Sequence, residues 1–137
     1  MNRRDARKNA FFLVFQMGFH EQDEFEQMQE LYFEQKEEVV KKEEKEFIQK
    51  EAEGTKQHLT EIDEIISKRS KKWTKERISK VDIAILRLAI YEIYYSEEIP
   101  LSVAINEAVE LAKEFGTDDS PAFVNGILGS IASENKK

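Results

Sequence analysis

A stretch of almost uncharged residues constrains the fold of this chain more than any other feature. Residues 81–95 are apolar or aromatic except for Asp82, Arg87 and Glu92. A helix that is apolar nearly all round is a central one, covered by other elements. The three charges are spaced in steps of five residues, so they project from three different sides of that helix. We therefore expect Arg87 and Glu92 to form ion pairs inside the protein. Asp82 falls in the first turn, where the helix dipole favours a carboxylate.

The remaining segments also predict helices, and none of them requires a strand. Only five Gly and two Pro occur in 137 residues, which favours helices joined by short connections. Apolar residues recur at helical spacing over 3–17, 25–32, 55–71, 102–115 and 123–131. The polar stretch 34–46 is predicted to be a mobile connection or a solvated helix. Gly126 and Gly129 fall inside the last helical pattern, where we expect them to allow close helix packing. A single domain over residues 1–137 is long enough to bury a core.

Composition excludes several classes of protein. The chain contains no cysteine, which excludes disulfides and thiolate chemistry. No apolar run reaches membrane-spanning length, and the N-terminus lacks the apolar segment of a signal peptide, so we expect a cytoplasmic protein that does not enter a membrane. His20 and His58 are far apart and lack neighbours at ligand spacing, which disfavours a metal site. With no Gly-rich phosphate loop and no catalytic constellation, the sequence predicts a binding protein without a cofactor rather than an enzyme.

The N-terminal end carries a basic patch on an acidic chain. Arg3, Arg4, Arg7 and Lys8 against Asp5 give this end four positive charges and one negative charge, a sum of +3, whereas the whole chain sums to −7. Bulk composition does not explain a basic patch that is isolated in this way. It indicates a surface for an anionic partner.

On a helix, the basic patch would share its side with aromatic rings. The apolar stripe that should face the core consists of Ala6, Ala10, Leu13, Val14 and Met17. The opposite stripe consists of Arg4, Arg7, Lys8, Phe11 and Phe15. Cations for phosphates beside rings for stacking suit the unstacked bases of RNA. Alternatively, the helix is packed on two sides and Phe11 and Phe15 belong to the core. The sequence leaves both alternatives open.

Three blocks of sequence resemble the NusB family of bacterial transcription antitermination factors. They are Arg3-Arg4-Asp-Ala-Arg7, residues 82–92 (DIAILRLAIYE), and residues 103–116 (VAINEAVELAKEFG) followed by Asp119-Ser120 and residues 123–126 (FVNG). Their order and spacing agree with the family over nearly the whole chain, and the acidic segment 20–54 carries little resemblance. The resemblance implies an all-α fold of about seven helices, arranged in two small bundles packed across one another, and no catalysis.

The resemblance also implies a function and its partners. NusB-like proteins bind boxA, a single-stranded element of nascent RNA, in complex with NusE, which is also a protein of the small ribosomal subunit. That complex joins other Nus factors on RNA polymerase and suppresses termination, chiefly at ribosomal RNA operons. Some NusB-like proteins self-associate, so a helical adaptor or homodimer with a masked RNA surface is the alternative. A NusB-like domain also occurs in ribosomal RNA cytosine methyltransferases, but this chain contains no cofactor-binding βαβ unit.

Functional residues carry over from the family position by position. The resemblance implies that the RNA surface consists of Arg3, Arg4, Arg7, Lys8, Phe15, Lys113, Phe115, Asp119, Ser120 and Phe123. It implies contacts with NusE at Glu76 and Asp82. The family often has a Tyr at the position of Phe15, so the ring for stacking is kept and the hydroxyl is lost. The alternative for Asp119 and Ser120 is helix capping alone, and the alternative for Phe123 is a place in the core.

Overall fold

Seven α-helices and one short 3-10 turn form the part of the chain that the structure, a computed structural model, describes: residues 1–70 and 77–134. The helices are α1 (Arg3–Met17), α2 (Phe25–Glu34), α3 (Lys42–Gln57), α4 (Leu59–Arg69), α5 (Lys80–Tyr95), α6 (Leu101–Phe115) and α7 (Ser120–Glu134). The 3-10 turn covers Gln22–Glu24. No strand occurs within the described ranges, so the prediction of an all-α fold is confirmed.

Helix α5 is the centre of the fold, as its sequence predicts. Every residue from Ile83 to Ile93 is buried. The helix starts where the Ser79 hydroxyl accepts a hydrogen bond from the backbone N–H of Asp82 at 3.0 Å, which satisfies one of the free donors of the first turn. Helices α1, α3, α4, α6 and α7 all pack against α5. Its apolar surface is therefore covered on every side, which explains why almost every position in it is apolar.

Two groups of helices meet at α5. On one side α1 packs against α3 and α2, and on the other side α6 packs against α7, with α4 beside α7. Both α1 and α6 also pack directly on α5. This arrangement confirms the prediction of two small bundles. It also brings the N-terminal end of the chain near α6, a helix that follows about a hundred residues later.

The charges inside α5 are paired, as predicted. Arg87 donates from Nε and Nη2 to the two carboxylate oxygens of Asp63 on α4, each at 2.9 Å. Glu92 accepts from Arg7 Nε on α1, also at 2.9 Å. Each pair joins α5 to a different neighbour. A buried charge with a well-aligned partner avoids most of the cost of losing its water.

The acidic segment contains more helix than its polarity suggests. Helix α2 ends at Glu34 and α3 begins at Lys42, so the predicted connection 34–46 shrinks to the residues between them. The start of α3 is fixed because the Glu44 carboxylate accepts from the backbone N–H of Lys41 at 2.9 Å and from the N-terminal amine of Met1 at 2.7 Å. The predicted single helix over 55–71 is wrong, because the chain leaves helical geometry at His58, between α3 and α4.

The predicted role of two glycines is also wrong. A Cβ added at Gly126 or Gly129 would meet nothing within 4 Å, because both residues face outward from α7. Close packing occurs at other glycines. A Cβ at Gly54 would lie 2.2 Å from a ring carbon of Tyr91, and a Cβ at Gly116 would lie 2.4 Å from the hydroxyl of Ser120.

Candidate nucleic-acid interface

Arg4 and Lys8 lie one turn apart on the side of α1 that faces α6. The helix starts at Arg3 because the Asn2 side chain accepts from the backbone N–H of Asp5 at 2.8 Å. Arg4 donates from Nε and Nη2 to the two carboxylate oxygens of Glu107, at 3.1 and 2.8 Å. Lys8 Nζ donates to Glu114 at 2.9 Å. Two cations of the basic patch are therefore matched to carboxylates of α6.

Arg7 lies inside the protein rather than on its surface. Its side chain is 6% exposed and donates to Glu92 at 2.9 Å and to Glu107 at 3.4 Å. Phe11 is also buried, at 2% exposure. Neither residue lies on an exposed stripe, because α1 is packed on two sides. The core alternative for Phe11 is confirmed, and a contact between Arg7 and RNA stays a prediction.

Arg3 points toward α3. Its guanidinium carbon lies 3.9 Å from the ring centroid of Phe47, which is the geometry of a cation–π interaction. Arg3 is exposed, so the outer face of its guanidinium is open to solvent. The four cations of the basic patch thus lie in three environments: Arg3 lies against α3, Arg7 in the interior, and Arg4 and Lys8 beside α6.

Five phenylalanines form an aromatic row near the C-terminal end of α1. The row consists of Phe11, Phe12, Phe15, Phe19 and Phe115. The ring of Phe115, at the end of α6, lies 5.2 Å from Phe11 and 5.3 Å from Phe12 between centroids. Phe15 is half-buried, and its edge meets Phe19 at 5.1 Å. The structure therefore joins two of the predicted RNA residues, Phe15 and Phe115, through a shared neighbour.

Phe19 is the residue that the sequence analysis missed. It is 58% exposed, and Lys80 Nζ lies 5.9 Å from its ring centroid. It follows Gly18, just beyond the end of α1, so helical spacing gave no reason to select it. The sequence feature that indicates Phe19 is its position four residues, or one helical turn, after Phe15. An exposed ring beside a lysine has the composition that the interface requires.

In the turn between α6 and α7, the side chain of Ser120 is buried and that of Asp119 is exposed. Ser120 is buried, and its hydroxyl accepts from the backbone N–H of Thr117 at 3.0 Å. Asp119 is exposed, and its backbone carbonyl accepts a hydrogen bond from the backbone N–H of Phe123, in the first turn of α7, at 3.1 Å. Ser120 thus shapes the turn that leads into α7, because its hydroxyl bonds an amide that precedes the helix. The carboxylate of Asp119 is presented at the surface.

A shallow groove connects this turn to the start of α5. Its volume is about 240 Å³, and it is lined by Arg77, Ile78, Ser79, Asp82, Asp119 and Phe123. The groove unites residues predicted for RNA, Asp119 and Phe123, with Asp82, which is predicted for NusE. Phe123 is half-buried, so part of its ring serves the core. Glu76, the other predicted NusE residue, lies outside the described residues.

Carboxylates on α6 offset much of the positive charge near α1. We call Glu107, Glu110 and Glu114 the acidic row; they are spaced three and four residues apart, on one side of the helix. Glu110 pairs with Lys113 at 3.4 Å, both side chains being largely exposed. Hydrogen bonds from Arg4 hold the pKa of Glu107 below its ordinary value, and Glu107 in turn raises the pKa of Arg4. Glu107 is therefore ionised at neutral pH.

Other kinds of site are not evident in the described chain. Residues 1–70 and 77–134 contain no cluster of three His, Asp or Glu side chains arranged to hold a metal ion. Among the helices of those ranges, none has both the length and the apolar character needed to cross a bilayer. The cations, the rings and the exposed carboxylate of Asp119 suit a single-stranded nucleic acid.

Comparisons with known proteins relate the whole chain to one family. Residues 4–133 match the NusB family. The transcription antitermination protein NusB of Agathobacter rectalis is 41% identical over 132 residues, which cover 96% of this chain and 100% of the relative. The solved structure of T. maritima NusB superposes with a TM-score of 0.86 at 37% identity, covering 100% of this chain and 94% of that one. A chain in the crystal structure of antitermination factors NusB and NusE with double-stranded RNA gives a TM-score of 0.82 at 25% identity, covering 96% of both chains.

Proposed function

Because this chain belongs to the NusB family, we propose that it is a non-catalytic transcription antitermination factor that binds single-stranded boxA RNA together with NusE. One observation carries the RNA part of the proposal. A series of ring contacts runs from Phe115 through the aromatic row to Phe19, whose ring lies beside Lys80. Lys80 is next in sequence to Ser79, which lines the groove that also contains Asp82 and Asp119. Cations, rings and a carboxylate thus form one composite surface.

Each part of this surface has a chemical role in the proposal. Arg4, Lys8 and Lys113 contact phosphates, which position the strand without reading its sequence. The ring of Phe15 stacks on a base, because Phe11 and Phe19 hold it in place while part of it remains accessible. The exposed carboxylate of Asp119 accepts from a base amino group, which supplies sequence selectivity. Phe123 bounds the groove where that base would lie.

NusE would approach the same groove from the side of α5. Asp82 lies in the first turn of α5, and one of its carboxylate oxygens has no hydrogen-bond partner within the described residues. That oxygen is buried, but Asp82 also lines the groove, where a donor from a partner protein would reach the rest of its carboxylate. The crystal structure of antitermination factors NusB and NusE with double-stranded RNA supports NusE and RNA as the partners. We propose that the assembled complex acts on RNA polymerase in the cytoplasm, at ribosomal RNA operons.

An RNA titration tests the proposal directly. Fluorescence anisotropy with labelled boxA RNA and a scrambled RNA of equal length is measured with and without NusE. We expect NusE to strengthen the binding of boxA more than that of the scrambled RNA, and we expect both affinities to fall as salt rises. Equal affinity for the two RNAs, with and without NusE, would refute the proposed function. Light scattering on the same samples shows whether a homodimer of this chain masks the surface.

A further inference from the structure

The two ion pairs between α1 and α6 differ in how firmly the carboxylate is held. Glu107 is 13% exposed and lies between Arg4 and Arg7, so it receives donors from both. Glu114 is 47% exposed, and its described contact is a single one, with Lys8 at 2.9 Å. Glu107 is a fixed part of the structure. Glu114 can rotate away into water at little cost, because exposed pairs contribute little stability.

Arg4 and Lys8 also differ in whether a phosphate must displace a carboxylate in order to bind them. Arg4 is 61% exposed and uses Nε and Nη2 for Glu107, which leaves its remaining N–H donors facing solvent. A phosphate can bind this open edge while the Glu107 pair persists. Lys8 is 29% exposed and carries a compact ammonium that is directed at Glu114. A phosphate that binds Lys8 must compete with that carboxylate.

We propose that Glu114 is an intramolecular competitor for RNA phosphate at Lys8. A carboxylate and a phosphate oxygen are equivalent anionic acceptors for an ammonium, so the free protein holds the position of the phosphate with its own side chain. Glu114 leaves when RNA binds, and the energy of its pair with Lys8 is subtracted from the energy of the RNA contact. This inference rests on the proposed RNA-binding function.

The competition affects all RNAs by the same factor. Phosphates are common to every sequence, so a competitor at a phosphate position lowers the affinity for boxA and for unrelated RNA equally. The ratio of the two affinities is set elsewhere, by the groove and the aromatic row. Glu114 therefore keeps the free protein from accumulating on unrelated RNA. It also makes stable binding depend on a partner that adds further contacts.

A double-mutant cycle tests the competition. Glu114→Gln keeps the shape of the side chain and removes its charge. Glu64→Gln is the matched control, because it removes the same charge from an exposed position on another helix. Glu64 lies on α4, which packs against α3, α5 and α7. At low salt we expect E114Q to bind both boxA and scrambled RNA about two- to fivefold more tightly than the unaltered protein, the range of an exposed ion pair. E64Q should show a smaller gain. In a Lys8→Gln background, E114Q should gain no more than E64Q does.

Three results would overturn the proposal. They are an equal gain for E114Q and E64Q, a gain for E114Q that persists in the K8Q background, and a change in the ratio of boxA to scrambled affinity, which would make Glu114 a base contact. High salt should abolish the gain, because it screens exposed charges.

Failure of the proposed function would give a different result. The unaltered protein would then fail to discriminate boxA, while the cycle on scrambled RNA would still report on Glu114.

Discussion

Arg7 of α1 donates its Nε–H to the carboxylate of Glu92 on α5 at 2.9 Å, and both side chains are buried. This pair ties the N-terminal helix to the central one. It divides the basic patch into a structural arginine and surface cations, although all of them lie within one short stretch of sequence. Glu107 extends the connection outward, since it contacts both Arg7 and Arg4.

We predict that the two neighbouring arginines have different effects on stability. Arg7→Ala removes the cation that faces the buried carboxylate of Glu92 and should lower the free energy of unfolding by about 3–5 kcal/mol. Arg4→Ala removes an exposed pair and should cost less than about 1 kcal/mol. Urea denaturation followed by circular dichroism measures both values. Equal losses for the two variants would contradict the division of the patch.

A second prediction concerns the pH dependence of stability, through Glu51. This side chain is buried on α3, with one carboxyl oxygen lacking a partner among the described residues. Burial, and then its hydrogen bond with Glu92, raise the pKa of Glu51 from 4.5 to about 10. The folded protein therefore keeps a proton that the unfolded chain releases above its own pKa.

The sign of the effect follows from that proton. The contribution of protonated Glu51 to the free energy of unfolding is fully present below about pH 4.5. It is lost as pH rises toward about 10, at a rate of up to ~1.4 kcal/mol per pH unit. Glu51→Gln removes this titration, so the variant should be more stable than the unaltered protein at about pH 8 and nearly equal at about pH 5. Urea denaturation at both values tests this. Glu46→Gln, at an exposed position of α3, is the control and should show no such dependence.

The sequence predicted the structure well where the signal was dense. The apolar residues of 81–95 identified α5 as central, and the rule that buried charges need partners predicted pairs for Arg87 and Glu92. Their partners, Asp63 and Arg7, could not be predicted, because each lies on another helix. Which distant residues meet depends on how the helices pack, and local periodicity contains no information about that.

The candidate site was predictable to a smaller extent. Helical spacing does not distinguish an exposed arginine from a buried one, so Arg7 was grouped with Arg4 and Lys8. Family resemblance selected Phe15 and Phe115, whereas the packing that joins them through Phe11 emerged only from the structure. The pairing of Lys8 with Glu114 was likewise hidden, because it depends on the approach of α1 to α6.

A third prediction concerns Phe15 as a stacking ring. Phe15→Ala should weaken the binding of boxA RNA by about 1–3 kcal/mol, the loss expected when one stacked base is lost. Phe15→Leu fills much of the same space without a π-face, so it should lose a similar amount of RNA affinity while retaining more stability. Anisotropy titrations combined with thermal unfolding separate the two effects. Unchanged RNA affinity in a folded F15L variant would assign Phe15 to the core alone.

The glycines give a matched pair of opposite predictions. Gly126 faces open space on α7, so Gly126→Ala should stabilise the protein by about 0.5–1 kcal/mol through better helix propensity alone. At Gly54 an added methyl group would lie 2.2 Å from the ring of Tyr91, which is itself packed in the core. Gly54→Ala should therefore destabilise by about 1–3 kcal/mol despite the same gain in propensity, because the ring must move. Thermal and urea unfolding of both variants measure this difference. Stabilisation by both substitutions would mean that Tyr91 can yield, and that α3 and α5 are less tightly joined than the contact at Gly54 indicates.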